Sequence, residues 1–408
     1  MILHHSEASL FKQPSFAKFW ASRILSSTSF QMLSVAIGWQ MYELMHDAFS
    51  LGLVGLAQFV PMVLLTFIVG QIADRFDRRR IVFFCLLVEG LTAGVLLTGS
   101  LGGWLGREQI LLLAAILGAC RAFEGPTSSA LLPQLVKKKI LSQAISISTT
   151  AGQTAQILGP TLGGLLYSFG PATVYSTATV ALLAAALVVF LIRLEGTTIQ
   201  KKEPVTLRSF FLGLEYVWRH TIILGTISLD LCAVLLGGAT ALLPIFAKDV
   251  LHTGPWGMGL MRTAPAVGAL LVSMIIAYIP LKNAVGVKLF AALAVFGLAT
   301  IMFAQSTNLI LSLFSLLLIG GSDVISVVIR SSLVQLHTPD EMRGRVNAVN
   351  SLFIGTSNQL GEFESGMLAG FIGAVPAVFI GGLGTIAVAG IWMYLFPSIR
   401  RLKSLSES

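Results

Sequence analysis

The chain has 408 residues, of which 55% are hydrophobic and only 11% charged, with a mean hydropathy of +0.84 and a formal net charge of +8. Soluble domains carry about 25% charged residues, and a water-soluble fold cannot hide this much apolar surface, so lipid must cover part of it. The positive charge is scattered through short loops with no basic stripe or domain, which argues against a nucleic-acid partner.

Residues 1–12 are polar and lack the apolar stretch of a cleavable secretory signal. Twelve apolar runs follow, each close to the roughly 20 residues that a helix needs to cross a bilayer: 18–44, 50–73, 81–101, 109–132, 142–167, 171–193, 222–247, 256–279, 286–305, 309–336, 345–370 and 375–396. Pro61, Pro160, Pro244 and Pro265 fall inside them, and helix packing tolerates such breaks within a membrane. Cys85, Cys120 and Cys232 lie inside apolar runs without CxxC spacing and read as small core residues. With the N-terminus taken as cytoplasmic, 22 of the 27 Lys and Arg fall on the cytoplasmic side, while the outer loops hold only Arg107 and Lys248. A missed or spurious span would scramble that bias, so both termini are expected in the cytoplasm.

The longest polar stretch between spans, 194–221, falls at mid-chain. It divides the sequence into an expected first bundle over 1–195, a linker over 196–221 and a second bundle over 222–408 with a short tail. Phe210, Phe211, Leu214 and Trp218 recur at helical spacing in Leu207–His220, which predicts a helix lying on the cytoplasmic face. The halves are faintly self-similar at an offset near 204: Ser128-Ser129 matches Ser331-Ser332, and the run Gly159–Gly164 is echoed by Gly361–Gly366.

Three clusters of residues stand out. After the second span, Gly70, Asp74, Arg75, Asp77, Arg78, Arg79 and Arg80 place carboxylates beside four guanidiniums at a tight turn, with Asp74 able to meet a helix dipole. Such a cluster can lock one conformation and release another. Mid-way along the fourth span stand Arg121 and Glu124. An arginine there costs at least ~2.5 kcal/mol on insertion scales and must face protein or water, and pairing with Glu124 one turn away lowers that cost. The fifth span carries Gly159, Pro160, Gly163 and Gly164, small residues that let helix backbones approach closely.

These clusters resemble motifs A, B and C of the major facilitator superfamily. Thr338–Asn347 with Trp39–Tyr42 is similar to its enterobactin-exporter and macrolide-efflux branch. The resemblance covers nearly the whole chain. It implies an all-α membrane fold of twelve transmembrane helices in two pseudo-symmetric six-helix bundles, with the first, fourth, seventh and tenth helices lining a central cavity. It also implies proton coupling through the motif B arginine and export through motif C. Asp77 stands where many members have glycine, and Ser146 and Ala155 occupy the upstream glycine positions of motif C.

Ionisable residues inside spans are functional candidates by default. Arg121, Glu124, Asp230 and Asp323 are expected around the substrate path, where burial and a neighbouring arginine act oppositely on a carboxylate's hold on a proton. Arg262, Glu362 and Glu364 are candidates for an outer gate, and Glu89 for a structural bond. Asp323 and Arg330 share a helix face. Gln31, Gln153, Gln156, Asn350 and Asn358 are candidate cavity contacts for an amphipathic ligand, with apolar help from Phe30, Met32 and Phe59.

The reading is a secondary active transporter, a proton-coupled exporter of a siderophore or drug working as a monomer in a bacterial inner membrane by alternating access. It has no cofactor or metal, and a proton gradient supplies the energy. An importer or lysophospholipid flippase on the same scaffold is the alternative. A membrane-embedded enzyme or receptor is a distant one, since the sequence offers no HExxH, GxSxG or Walker motif.

Overall fold

The computed structural model describes residues 10–137, 140–193, 207–279, 281 and 283–404, with side chains apart from those at 66, 67, 70, 71, 73, 74, 207–210 and 340. The linker residues 196–206 and the tail beyond 404 lie outside the described residues. We number the helices α1 (Pro14–Met45), α2 (Ala48–Arg75), α3 (Arg78–Gly102), α4 (Arg107–Leu135), α5 (Leu141–Tyr167), α6 (Pro171–Phe190), α7 (Leu207–Arg219), α8 (Thr221–Leu236), α9 (Pro255–Tyr278), α10 (Val285–Gln305), α11 (Leu309–Leu336), α12 (Asp340–Ile372), α13 (Ala374–Leu395) and the single turn α14 (Pro397–Arg400). With α8 extended to Val250, each of the twelve sequence spans corresponds to a long helix.

Local chemistry sets the helix ends. Asp47 accepts the Ser50 amide at 2.6 Å and starts α2. Asp77 accepts the Arg79 amide at 2.9 Å and caps α3, while Asn308 caps α11 through the Ile310 amide at 2.8 Å. Gly170-Pro171 and Gly254-Pro255 open α6 and α9: the glycines take positive φ and the prolines fit the first helical position. The seventh span is not one continuous helix. It breaks at Gly237 and Gly238 into a 3₁₀ turn over Ala239–Leu242 and a π turn over Phe246–Val250, because two glycines and Pro244 weaken the regular ladder there.

Nine of the twelve are apolar enough over 18 residues to cross a membrane on composition alone. The other three are α1, α5 and α12, which carry Gln31, Gln153, Gln156, Asn350 and Asn358. Large apolar side chains stand outward on the helices and at their ends, among them Ile310 at 78% and Phe371 at 82% exposure. That is how a protein solvated by hydrocarbon presents itself.

The chain forms two compact units, Met1–Gln40 with Ala57–Pro204, and Met41–Leu56 with Val205–Ser408. Residues 41–56, which chain order puts in the first half, therefore group by packing with the second unit. In the first unit α3 packs along α4 and α6, and a Cβ on Gly159 or Gly163 of α5 would come within 2.5 Å of Gln31 Cβ or 2.9 Å of Met32 Cα on α1. The second unit repeats that contact: a Cβ on Gly361 of α12 would stand 2.9 Å from the Leu235 carbonyl of α8. The faint internal repeat is thus a repeat of helix contacts, with glycine setting the approach in both cases.

The second unit also buries a core of Leu229, Leu289, Phe290, Ile329, Leu333 and Ile399. The predicted linker helix forms as α7. Its Val217, 2% exposed, packs with Ile223, Val346 and Val349, while Phe211 and Trp218 stay exposed at 62% and 72%.

Candidate functional site

Two arginines organise the buried charge, one in each unit. In the first, Arg121 of α4 donates to Glu124 Oε2 at 2.6 Å and lies 3.7 Å from Glu89 Oε1 on α3. It also donates to the Ser26 carbonyl of α1 at 3.3 Å, and its guanidinium lies 3.9 Å from the centre of the Phe30 ring. The Ser26 hydroxyl donates to Glu124 Oε1 at 2.8 Å. Glu89 and Glu124 are each 1% exposed. Among the described residues neither Glu89 oxygen has a hydrogen-bond partner, so the guanidinium is what compensates its burial.

In the second unit, Arg330 of α11 pairs directly with Asp230 of α8 and lies 4.0 Å from Asp323, two turns away on the same helix face. Its Nε donates to the Ser326 carbonyl at 3.3 Å. The two carboxylates differ: the Asp230 side chain is 7% exposed and that of Asp323 is 45% exposed. Asn350 lines a small void against Arg330.

The four expected path residues therefore fall into two separate groups, Arg121 with Glu124 and Asp230 with Asp323. The second group is joined by Arg330, whose tie to Asp230 the sequence spacing did not reveal. Glu89, expected to make a structural bond, belongs to the first group. Phe30, read as a ligand contact, instead supports Arg121.

The remaining candidates divide in a similar way. Gln153, Gln156 and Asn358 are exposed on their helices, the last donating to the Ile354 carbonyl at 2.9 Å. Gln31 is taken up in the contact with Gly159. Glu362 accepts a hydrogen bond from Thr240 in the broken segment after α8 and feels the charge of Arg262. Glu364 instead has Ser365 Oγ at 3.5 Å, so Glu364 is not part of that arrangement. Gly70 and Asp74 lie in α2 with side chains outside the described residues, and Arg75 ends that helix. Asp77 is the residue at the start of α3. Arg78 donates to the Ala130 carbonyl of α4 at 3.0 Å, and Arg79 to that of Ile192 at 2.7 Å.

One cluster had no forerunner in the sequence. The Tyr42 hydroxyl donates to Asp249, Lys248 Nζ lies 5.5 Å from the Tyr42 ring centre, and Lys248 Nζ is 3.5 Å from His46 Nε2. With Gly52 backed onto Gly366, where a Cβ would lie 2.6 Å from the Gly52 Cα, this cluster ties residues 41–56 into the second unit.

Two helical units, each with an arginine–carboxylate cluster reaching from its fourth long helix to its first, define a transporter of the major facilitator fold. The backbone agrees with solved members: the nucleoside transporter NupG superposes with a TM-score of 0.72 at 13% identity, covering 94% of this chain and 99% of that one. A bacterial homologue of the human lysosomal transporter Spinster gives 0.70 at 12%, over 95% of each chain. Residues 5–407 match the transmembrane secretion effector family, and the chain belongs to that family. Among curated relatives, the enterobactin exporter EntS of Citrobacter koseri is 27% identical over 96% of this chain and 94% of its own length. That of Salmonella paratyphi A is 26% identical over 96% and 95%.

Proposed function

We propose that this membrane transporter exports an amphipathic small molecule, of the siderophore or drug type, out of the bacterial cytoplasm in exchange for protons. In this reading it sits in the inner membrane with both termini in the cytoplasm and works by alternating access. The observation that carries the proton step is the contrast at Arg330. Asp230 is buried against the guanidinium, while Asp323 is within 4.0 Å of it and 45% exposed. A carboxylate that is both partly exposed and beside an arginine can gain or lose its proton as the arginine shifts between partners. Glu124, held by Ser26 and Arg121, is the corresponding candidate in the first unit. The names of the relatives support export and a siderophore cargo, and the distribution of Lys and Arg supports cytoplasmic termini.

The test uses everted vesicles with an acidic lumen, so that the proton gradient is directed outward, with enterobactin as the probe. Wild-type protein should dissipate the gradient on adding it, and Asp323→Asn and Glu124→Gln should each impair that response. Unchanged dissipation in both variants removes these carboxylates as carriers.

A second reading, an importer or a lysophospholipid flippase, is favoured by Ser146 and Ala155 in place of the upstream motif C glycines. Starvation for the cargo in a deletion strain, in place of its accumulation, would select that reading.

A further inference from the structure

Within the first unit, a pocket of about 210 Å³ opens between α1, α4 and α5, lined by Phe19, Arg23, Ser128, Ser129, Ser148 and Thr149 among others. Arg23 makes no side-chain hydrogen bond or close ion pair with any described residue. Its Nε is buried without a partner, and the attraction of Glu124 reaches it at a distance, opposed by Arg121. Ser128 is 1% exposed and its hydroxyl also has no partner. Phe19, 2% exposed, supplies an apolar wall.

An arginine in a membrane helix normally finds a carboxylate or a backbone carbonyl, because an uncompensated charge there is costly. Arg121 and Arg330 both do so. Arg23 lines a cavity instead, and so does Ser128, whose hydroxyl has no partner among the described residues. An arginine without a carboxylate partner on a pocket lined by serines and a threonine is complementary to an oxyanion, and the guanidinium fork matches a carboxylate in particular. We propose that this pocket is a binding subsite for an anionic oxygen group, a carboxylate or phenolate, carried on an aromatic or apolar body. Arg23 and Ser128 are its donors and Phe19 is its wall.

The assignment of that group to the cargo rests on the transport reading above, so the test measures binding with no gradient present. Benzoate and the isosteric neutral benzamide are the probes, titrated onto the purified full chain in detergent and read by saturation-transfer NMR. A charge-assisted hydrogen bond is worth about tenfold to a hundredfold in affinity, so benzoate should bind that much more tightly than benzamide. Arg23→Gln should erase the preference and Arg23→Lys should retain part of it. Ser128→Ala, a change of one atom that the helix tolerates, should lower benzoate affinity about threefold to tenfold. Equal binding of the two probes to wild type, or a preference that survives in both Arg23→Gln and Ser128→Ala, overturns the subsite. Displacement of benzoate by phosphatidylglycerol and not by phosphatidylcholine gives the pocket to a lipid headgroup and overturns its assignment to cargo. Retained benzoate binding in a chain that no longer dissipates the gradient counts against proton coupling alone.

Discussion

Replacing Arg121 by methionine separates what the first cluster does for the fold from what it does for transport. The guanidinium answers two carboxylates that are each 1% exposed, at 2.6 Å and 3.7 Å. Removing one partner of a buried ion pair costs about 3–5 kcal/mol, because the partner's charge is left uncompensated. Glu124 keeps the Ser26 hydroxyl, whereas Glu89 has no hydrogen-bond partner among the described residues, so Glu89 accounts for the larger share. Arg121→Met should therefore lower the melting temperature of the detergent-purified protein sharply. Adding Glu89→Gln should recover more of the loss than adding Glu124→Gln. The triple variant, uncharged and similar in volume, should regain most of the stability, since apolar or neutral replacements of whole buried ion clusters are often neutral or better. Transport should stay lost in the triple variant. A single Arg121→Met that melts with the wild type, or equal rescue by the two amides, would refute the view that this arginine exists to hold Glu89.

The second cluster yields the opposite ordering of stability and function. Asp230→Asn, which breaks the buried pair with Arg330, should destabilise by about 3–5 kcal/mol, while Asp323→Asn, at a 45% exposed side chain, should cost no more than about 1 kcal/mol, as measured by thermal melting. Tyr42→Phe and Asp249→Asn should each weaken the attachment of residues 41–56, and their double-mutant cycle should return a coupling of about 1.5–3 kcal/mol, as for a hydrogen bond to a charged group; zero coupling would show the contact to be incidental. Gly163→Ala forces α1 and α5 apart, since the new Cβ would sit 2.9 Å from Met32 Cα. Overpacking of this kind costs about 1–3 kcal/mol, which thermal melting would detect, whereas Gly125→Ala, with open space at its Cβ, should be silent.

Much of the fold was legible in the sequence because lipid demands apolar length, and apolar length survives any rearrangement of partners. Each span found a long helix, and α7 formed where Leu207–His220 alternates basic and apolar residues. The break after Leu236 was less legible. Pro244 marked it, but Gly237-Gly238 reads as ordinary small-residue packing until Gly361 is seen against the same helix. The ion pairs divided along the same line. Arg121–Glu124 is an i, i+3 pair on one helix and could be read directly. Arg330–Asp230 joins residues 100 positions apart, and only the three-dimensional packing of α8 on α11 decides it. The repeat does not supply it: at the offset of 204 Ser26 corresponds to Asp230, but Arg121 corresponds to Ile325 and not to Arg330. Tyr42 stood in the Trp39–Tyr42 segment that carries the resemblance, but nothing in the sequence pointed from it to Asp249, since an aromatic at a helix end and an acid in a loop are common and only their meeting is informative.

The two clusters are built alike and buffered differently, and that difference assigns their roles under the proposed mechanism. In the first unit each carboxylate is sealed from water, so any proton exchange there requires the helices themselves to move. In the second, Arg330 holds one sealed acid and stands at the edge of ion-pair range from a more exposed one, so a small shift of the guanidinium changes which acid it neutralises. A coupling group must communicate with water on one side at a time. Under this mechanism Asp323, with its side chain 45% exposed, is the acid placed for that communication, whereas Glu124, 1% exposed, would gain it only in another conformation. The first unit's acids are therefore expected to report on the conformational change and Asp323 to report on the proton. Solvent-isotope and pH dependence of exchange should follow substitutions at Asp323 more closely than those at Glu124. The reverse ranking would move the proton step to the first unit.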